Sequence, residues 1–557
     1  MTTHVFDGVR DFVPLLHQFS ICSVAAGLYP GANQQATSSS PQNQRSESCI
    51  AINPKNPANL VGASKKFIDP ATYRFRLGVI YSFDSGETWA ESQLPLKPGW
   101  DVMTDPTVTF DGSGNAFLVG EPDHFNTGTA GAGDLTGLGM VVYRSQDGGV
   151  TWQEPIQLTS DTSDDKQWVV CDNQPGSPHR GNVYVAWGAS SPLRFARSTD
   201  GGQSWKGRGS DAPGSALVSF SFSPELTVAP DGTLHILWHN DGSGEIQHIR
   251  SLDGGETFEA ATTVVSGIKS LRGNLPITDD WPHFEFGKFR VITLITDCVT
   301  TQGVLVVAWA DMREGYSRIY YRRSLNNGVT WEGDASGQPL LPNVSYGSSH
   351  CFHPQIACTR TGVVGCAFYV FGEEFGKHLI KVQLAGSWNN ASDFSWFVDV
   401  TDRSWDPAVD APAVHGDPNV TFIGEYFGLA AGVEDFAVLW TDTRTGVQEL
   451  FFNLVQTKEI VCPRLPDLVA QILAGVVEDG GGLIIVGGKI IRIPPRSPVI
   501  QVLEALATLD TVAGVNAEQA RQWTQIALQT SAEVLARKIS QSHSGLAGAT
   551  GQSNELE

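Results

Sequence analysis

The chain has 557 residues, room for one large domain and an appendage, with 59 glycines, 15 tryptophans and 17% charged residues. That charged fraction is too low, and the aromatic content too high, for a disordered chain. A formal net charge of -22 disfavours nucleic acid and anionic membrane surfaces as partners, because both need a basic face. The eight cysteines, Cys22, Cys49, Cys171, Cys298, Cys351, Cys358, Cys366 and Cys462, are scattered without a close pair and read as buried thiols. No apolar run reaches membrane-spanning length.

In chain order, residues 1–45 form an N-terminal segment. Val13–Phe19 is the candidate for a strand that closes a ring of sheets, and the polar stretch Asn33–Pro41 reads as loop. Between 46 and 456 a unit repeats. Each copy opens on a strand (Ser48–Ile52, Pro106–Phe110, Trp168–Cys171, Pro224–Val228, Val291–Ile295, Pro354–Cys358, Val420–Ile423). A second strand, often led by glycine, follows (Gly181–Trp187, Gly232–Trp238, Gly303–Trp309, Gly362–Phe368, Phe436–Trp440). A third strand then runs into an octet of the form Ser-x-Asp-x-Gly-x-Thr-Trp. The octets are Ser82–Trp89, Ser145–Trp152, Ser198–Trp205, Ser251–Phe258 and, with Asn326 for Asp, Ser324–Trp331. Asp and Gly supply turn chemistry, and the closing aromatic anchors the corner. A spacing of about 50 to 70 residues is that of propeller blades. The repeat predicts an all-β propeller of seven blades, six if one unit is an insertion. The sixth unit, Leu379–Trp396, shows no good octet.

Beyond Cys462-Pro463 the period changes. Residues 463–540 read as a small α+β module: a helix over Leu468–Val477, a hairpin Leu483–Val486 and Lys489–Ile493 on Gly487-Gly488, a helix from Ser497-Pro498, and a last helix from Asn516. Residues 541–557 read as a tail. So small a module buries little core alone, which points to docking on the propeller or to homo-oligomer formation through it.

The octets resemble those of the Asp-box, or BNR-repeat, family that includes sialidases, over roughly residues 45–456. The resemblance implies a β-propeller with the octets on its outer edge, away from any active site. It also implies an exo-sialidase type of site: three arginines clamping a carboxylate, a Tyr nucleophile activated by Glu, and an Asp acid/base. No cofactor or metal is expected, because the scattered carboxylates and histidines read as solvated loop residues. The family's Arg-Ile-Pro triplet does not precede Ser82; the chain's copy is Arg492-Ile493-Pro494. Proteins with this repeat are often exported, while the N-terminus carries no secretory signal, so the compartment stays open.

The candidate residues follow from repeated strand ends. Trp309-Ala-Asp311-Met-Arg313 and Trp440-Thr-Asp442-Thr-Arg444 each place Asp and Arg on one strand face, as an acid with a carboxylate clamp or as a repeated structural ion pair. Glu425-Tyr426 supplies the Glu and Tyr types, although strand neighbours face opposite ways; Glu225 and Glu285 are alternative partners for Tyr426. Asp311, Tyr426 and Glu425 are thus the catalytic candidates, and Arg313, Arg444, Asp442 and Trp281 the substrate-binding ones. Trp100, Trp281 and Trp405 are the residue type for sugar stacking or for core packing. Glu121-Pro-Asp123-His124, His350 and His353 read as solvated loop residues, and Asp164-Asp165-Lys166 as a loop cap. Two functions remain: a propeller that binds a glycan, glycoprotein or other protein and assembles, and an exo-acting glycoside hydrolase.

Overall fold

The computed structural model describes residues 3–5, 23–38, 43–69, 74–126, 135–271, 277–278, 281–282, 289–410, 413–414, 417–461, 483–486 and 489–492. The chain divides into two units, Gly27–Thr457 and a second made of Met1–Ala26 with Lys458–Glu557. In the second unit, Leu483–Val486 and Lys489–Arg492 pair as an antiparallel hairpin, and Thr3–Val5 adds a parallel strand to it. The hairpin falls where the Gly487-Gly488 turn predicts it. The three expected helices lie outside the described residues, as does Val13–Phe19.

Every named element of the larger unit is a strand. Its sheets follow one plan: three long antiparallel strands in chain order, then a short outer one. The strands Arg45–Ile52, Leu60–Asp69, Arg74–Ser82 and Ala90–Ser92 make the first, and His350–Cys358, Val364–Glu374, Lys377–Ser387 and Trp396–Asp399 a later one. Gln167–Cys171, Val183–Trp187 and Ala189–Ser198 join sideways to the group Ser215–Val228, Leu234–Asn240, Glu245–Ser251 and Thr262–Val265, giving one seven-stranded sheet. The second strands are apolar on both faces: Val183–Trp187 and Leu305–Asp311 are buried throughout. Sheets covered on both sides require this, and it explains why these runs read so clearly. The outer strands are short, which limits edge pairing.

The core lies between sheets. Cys49, Val61 and Val79 of the first pack with Met103, Phe110, Leu118 and Tyr143 of the second. Ile50, Leu60 and Ile80 of the first also pack with Ala437, Leu439 and Phe452 of the last. The opening strands adjoin one another in sequence, and Gly428–Ala431 of the last sheet adjoins Arg45–Ile52 of the first, so the sheets curl into a closed ring. The outer strand of the last sheet comes from the N-terminus. Gln34 and Gln35 pair with Phe452 and Phe451, and Ser23–Pro30 flanks the same strand. Sequence patterning reads this stretch as loop because a solvent-facing outer strand needs no apolar residues. Polar side chains hold it instead: Asn453 Oδ1 accepts from Gly31 N–H at 3.0 Å, and Asn453 Nδ2 donates to Gly31 O at 2.8 Å.

The octets share one geometry. The Ser hydroxyl accepts the N–H of the fifth residue, at 2.9 Å for Gly86 and Gly149 and 2.8 Å for Gly202 and Gly255. The carboxylate accepts the N–H of the seventh residue, at 2.9 Å for Thr88 and Thr151. Ser387–Phe394 makes the same bonds, with Ala391 N–H on Ser387 Oγ at 3.1 Å and Ala391 at φ 55°. Sequence reading passes over this copy because Ala stands where glycine relieves the positive φ. Each octet leans on the preceding sheet. A Cβ at Gly149 would meet Val61 at 2.5 Å, one at Gly202 would meet Phe117 at 2.4 Å, and one at Gly86 would meet Phe452, across the ring closure, at 2.1 Å.

Candidate functional site

The site is built by one irregularity repeated in the opening strands. The last ladder pairs joining first to second strands are Ile52–Leu60, Phe110–Ala116, Cys171–Val183, Val228–Leu234, Val299–Leu305, Cys358–Val364 and Ala431–Phe436. Five positions before the first member of each pair stand Glu47, Asp105, Lys166, Ser223, Leu294, His353 and Tyr426. Glu47, Asp105, Lys166, Ser223 and His353 have φ of 53°, 53°, 57°, 48° and 47°. The register breaks at Ser46/Cys49, Thr104/Thr107, Phe222/Glu225 and Phe352/Gln355, the signature of a β-bulge. A left-handed non-glycine residue costs about 1–2 kcal/mol. Five such residues at equivalent positions bend the strands so that this tier converges. Two positions further on, a second tier holds Cys49, Thr107, Trp168, Glu225, Thr296, Gln355 and Gly428.

Asp105, Thr107, Lys166, Gln167, Trp168, Ser223, Glu225, Leu294, Gln355 and Tyr426 line one cavity of about 20 Å³, room for about one water. Lys166 is its organising charge. Its Nζ lies 2.5 Å from Glu425 Oε2, 3.3 Å from Asp105 Oδ2, 3.8 Å from Glu47 Oε1 and 5.0 Å from the centre of the Tyr426 ring. Arg290 Nη2 takes the other oxygen of Glu425 at 2.8 Å.

The carboxyl groups around this lysine divide into two ionisation classes. Burial alone would raise Asp105, but Lys166 and Lys65 outweigh it and hold the group below the usual carboxylate range. Burial likewise opposes ionisation of Glu425, and Arg290 with Lys166 brings it down to about 2. In the other class, burial and then the Asp297 carboxyl push Glu225 well above its ordinary value. Burial, Asp165 and Asp123 do the same to Glu121, and burial and Asp105 to Asp165. Burial, with Asp105, takes Glu47 up to about 7, and burial raises Asp123 to about 7. Glu225 Oε2 accepts the backbone N–H of Asp297 at 3.0 Å. The Tyr426 hydroxyl is buried without a hydrogen-bond partner, and burial raises its pKa.

The sequence candidates fall in three places. Glu425 and Tyr426 are both in the cluster, but the two Glu425 oxygens are taken by Lys166 and Arg290. Of the alternative partners, Glu225 lines the same cavity as Tyr426, and Glu285 lies outside the described residues. Asp311 and Asp442 sit in matching corners at second-strand ends. Asp311 accepts Trp309 Nε1–H at 3.1 Å and Arg313 N–H at 2.9 Å, and Asp442 accepts Trp440 Nε1–H at 3.0 Å and Arg444 N–H at 2.8 Å. Arg313 and Arg444 fold back onto these aspartates and over Tyr320 and Phe451. Trp281 is in the two-residue strand Trp281–Pro282, paired with Ile277–Thr278. Trp100 and Trp405 are buried. Glu121 and Asp123, read as solvated, are buried because the strand Ala116–Phe125 carries them past the point where the sequence pattern places its end. The sequence pattern offers Glu225 only as an alternative partner for Tyr426 and Lys166 only as part of a loop cap, and it does not mark Asp105. The signal that finds them is the fixed distance back from each ladder end, which needs the pairing register.

The chain matches no protein-family model and no curated protein sequence. Solved structures resemble it in layout. A protein from Dyadobacter fermentans is 13% identical, covering 78% of this chain and 99% of its own, with a TM-score of 0.41. The NanB sialidase of Streptococcus pneumoniae is 11% identical over 60% of this chain and 66% of its own, at 0.39. The α-L-arabinanase of Penicillium chrysogenum is 13% identical over 79% of this chain and 99% of its own, at 0.36. Those activities belong to those proteins.

Proposed function

We propose that Gly27–Thr457 is a seven-bladed propeller and that its bulged tier forms a glycan site that cleaves a glycosidic bond by carboxyl acid/base chemistry. One observation carries the reading. A single cavity faces a carboxylate, Asp105, held ionised by Lys166, and a carboxyl, Glu225, that burial and the adjoining Asp297 bias towards its protonated form. Two carboxyl groups pushed to opposite ionisation by their surroundings are the acid and base of glycoside hydrolysis. Glu225 donates its proton to the leaving-group oxygen. Asp105 takes a proton from the attacking water, for which the cavity has room. Trp168, half-buried, and Gln355, Ser223 and the Tyr426 hydroxyl line the same cavity; since it holds only about one water, this reading requires the wall to open for a sugar to stack on Trp168 and reach these groups.

The substrate on this reading is a neutral glycan. Six carboxyl groups, Glu47, Asp105, Glu121, Asp123, Asp165 and Glu425, stand around the bases Lys65, Lys166 and Arg290. Four of the six are raised towards their neutral form, so the arginines decide the matter. Arg290 is taken by Glu425, Arg313 by Asp311, and Arg444 by Asp442 and Asp402, and none of these is left as a clamp for a sialic-acid carboxylate. Binding without turnover is favoured by one feature, the full pairing of Glu425.

The test is release of reducing ends from neutral and anionic polysaccharides and oligosaccharides, with Glu225→Gln beside the wild type. Turnover of a neutral glycan that the variant loses by ~10²-fold or more supports the reading. Glycan binding with no turnover transfers it to a binding module. Hydrolysis of sialosides alone would overturn it.

A further inference from the structure

Beside the cavity, one oxygen from each of Asp105, Glu121 and Asp165 lies within 4.8 Å of the other two. Two ligands on opposite sides of a Ca²⁺ ion are separated by at most about 4.8 Å, since each bond is about 2.4 Å. The three groups therefore already stand at chelating separation. They come from three strands and strand entries, with Asp105 at its bulge, so the backbone rather than mobile side chains sets the spacing.

An independent feature points the same way. Gln167 is 4% exposed, and its Nε2 donates to the backbone oxygen of Asp105. The other corner of that amide, Oε1, has no partner. The Thr107 hydroxyl, also 4% exposed, has none either, and Gln167 and Thr107 line the same cavity as Asp105. Glu47 Oε2, on a residue 1% exposed, is a third buried oxygen without a donor. Buried polar atoms left unpaired are rare and call for a reason. Gln167 Oε1 can only accept, so a positive partner would satisfy it, and the Thr107 hydroxyl can accept or donate beside it. Asp105 has Lys166 against Oδ2, accepts from Thr104 Oγ1 on Oδ1 at 2.9 Å and shares a hydrogen bond with the Asp165 carboxyl, whose proton a bound cation would displace.

We propose that Asp105, Glu121 and Asp165, with the amide oxygen of Gln167, bind one divalent cation of the Ca²⁺ class. The donors are all hard oxygens, which excludes a preference for zinc or copper. Ligands drawn from an irregular strand bulge suit Ca²⁺, which accepts flexible geometry, better than Mg²⁺, which demands a strict octahedron. The ion would cross-link the opening strands at Asp105 and Asp165 to the second strand at Glu121, fixing the wall from which Asp105 faces the cavity. This proposal stands whether or not the site is catalytic.

The experiment is calorimetric titration of the chelator-treated full chain with CaCl₂, MgCl₂ and MnCl₂, alongside thermal unfolding with and without each ion. The expected result is saturable one-site Ca²⁺ binding with Kd below about 1 mM and a raised Tm. Asp165→Asn and Glu121→Gln should each weaken it at least tenfold, while Glu225→Gln should retain it. No saturable binding of any of the three ions by the wild type would overturn the proposal, whatever the variants do. Equal binding in a folded Asp165→Asn, Glu121→Gln double variant would overturn it too. Ion binding retained in Glu225→Gln with hydrolysis lost separates this claim from the catalytic one.

Discussion

Replacing Lys166 by Met tests the electrostatic logic of the cluster. The side chain keeps its bulk and loses an ammonium that lies 2.5 Å from Glu425 and 3.3 Å from Asp105. Removing one partner of a buried ion pair costs about 3–5 kcal/mol, because the other charge stays buried. Entropy of unfolding near 2.1 cal/mol/K per residue over the roughly 430 residues of Gly27–Thr457 gives about 0.9 kcal/mol per degree. The expected fall in Tm is therefore about 3–6 °C near pH 7.5. Its pH dependence has a definite sign. Asp105 and Glu425 have folded pKa values below their unfolded ones, so their contribution is present above pH ~4 and is lost as pH falls through the folded values, about 2 for Glu425. Without the lysine, Glu425 keeps Arg290 but Asp105 loses the largest charge that holds its proton off, so proton uptake chiefly by Asp105 narrows the difference between wild type and variant as pH drops from 7.5 to about 4. Circular dichroism melts of both proteins across that range read this directly. A Tm difference that is the same at both ends, or under about 1 °C at pH 7.5, would refute the reasoning.

Gly202→Ala sets a methyl against Phe117 at 2.4 Å in a backbone at φ 82°. A left-handed alanine and overpacking together cost roughly 2–5 kcal/mol, read as a lower urea midpoint, whereas Ala at exposed Gly446, also at positive φ but with open space, costs only the backbone share. His235 and His248 stack between two sheets with ring nitrogens 3.0 Å apart, and burial depresses both, His235 to about 4. Their folded pKa values lie below the unfolded ones, so stability falls as pH drops below about 6.5. His235→Gln should flatten that slope between pH 6.5 and 4, and an unchanged slope would exclude the pair as its source. kcat/KM should fall on the alkaline side as Glu225 loses its proton, and that limb should vanish in Glu225→Gln along with activity.

The sequence makes the sheets legible because strands buried on both faces, such as Leu305–Asp311, need unbroken apolar runs, and because corner chemistry forces Ser, Asp and Gly into fixed places in the octets. It makes Ser387–Phe394 illegible because Ala391 adopts the corner without glycine, and the N-terminal outer strand illegible because Gln34 and Gln35 pair through the backbone ladder and polar side-chain bonds, which need no apolar pattern. Glu425 and Tyr426 attract notice as neighbours of matching type. Glu225 enters only as an alternative partner for Tyr426, and Asp105 and Lys166 do not stand out, since each is an ordinary polar residue at a strand entry and only ladder register shows their place in the tiers. Asp311–Arg313 and Asp442–Arg444 show the reverse: a repeated pattern looks like a site, and its hydrogen bonds are those of a repeated corner.

The central claim is that Glu225 is a proton-donating carboxyl facing an ionised Asp105. The most direct measurement is hydrolysis of a neutral glycan by the wild type, Glu225→Gln and Asp105→Asn, each shown to be folded by its melting curve. The account predicts turnover by the wild type and a loss of about 10²-fold or more in either variant, with glycan binding retained. Full turnover in Glu225→Gln would contradict it.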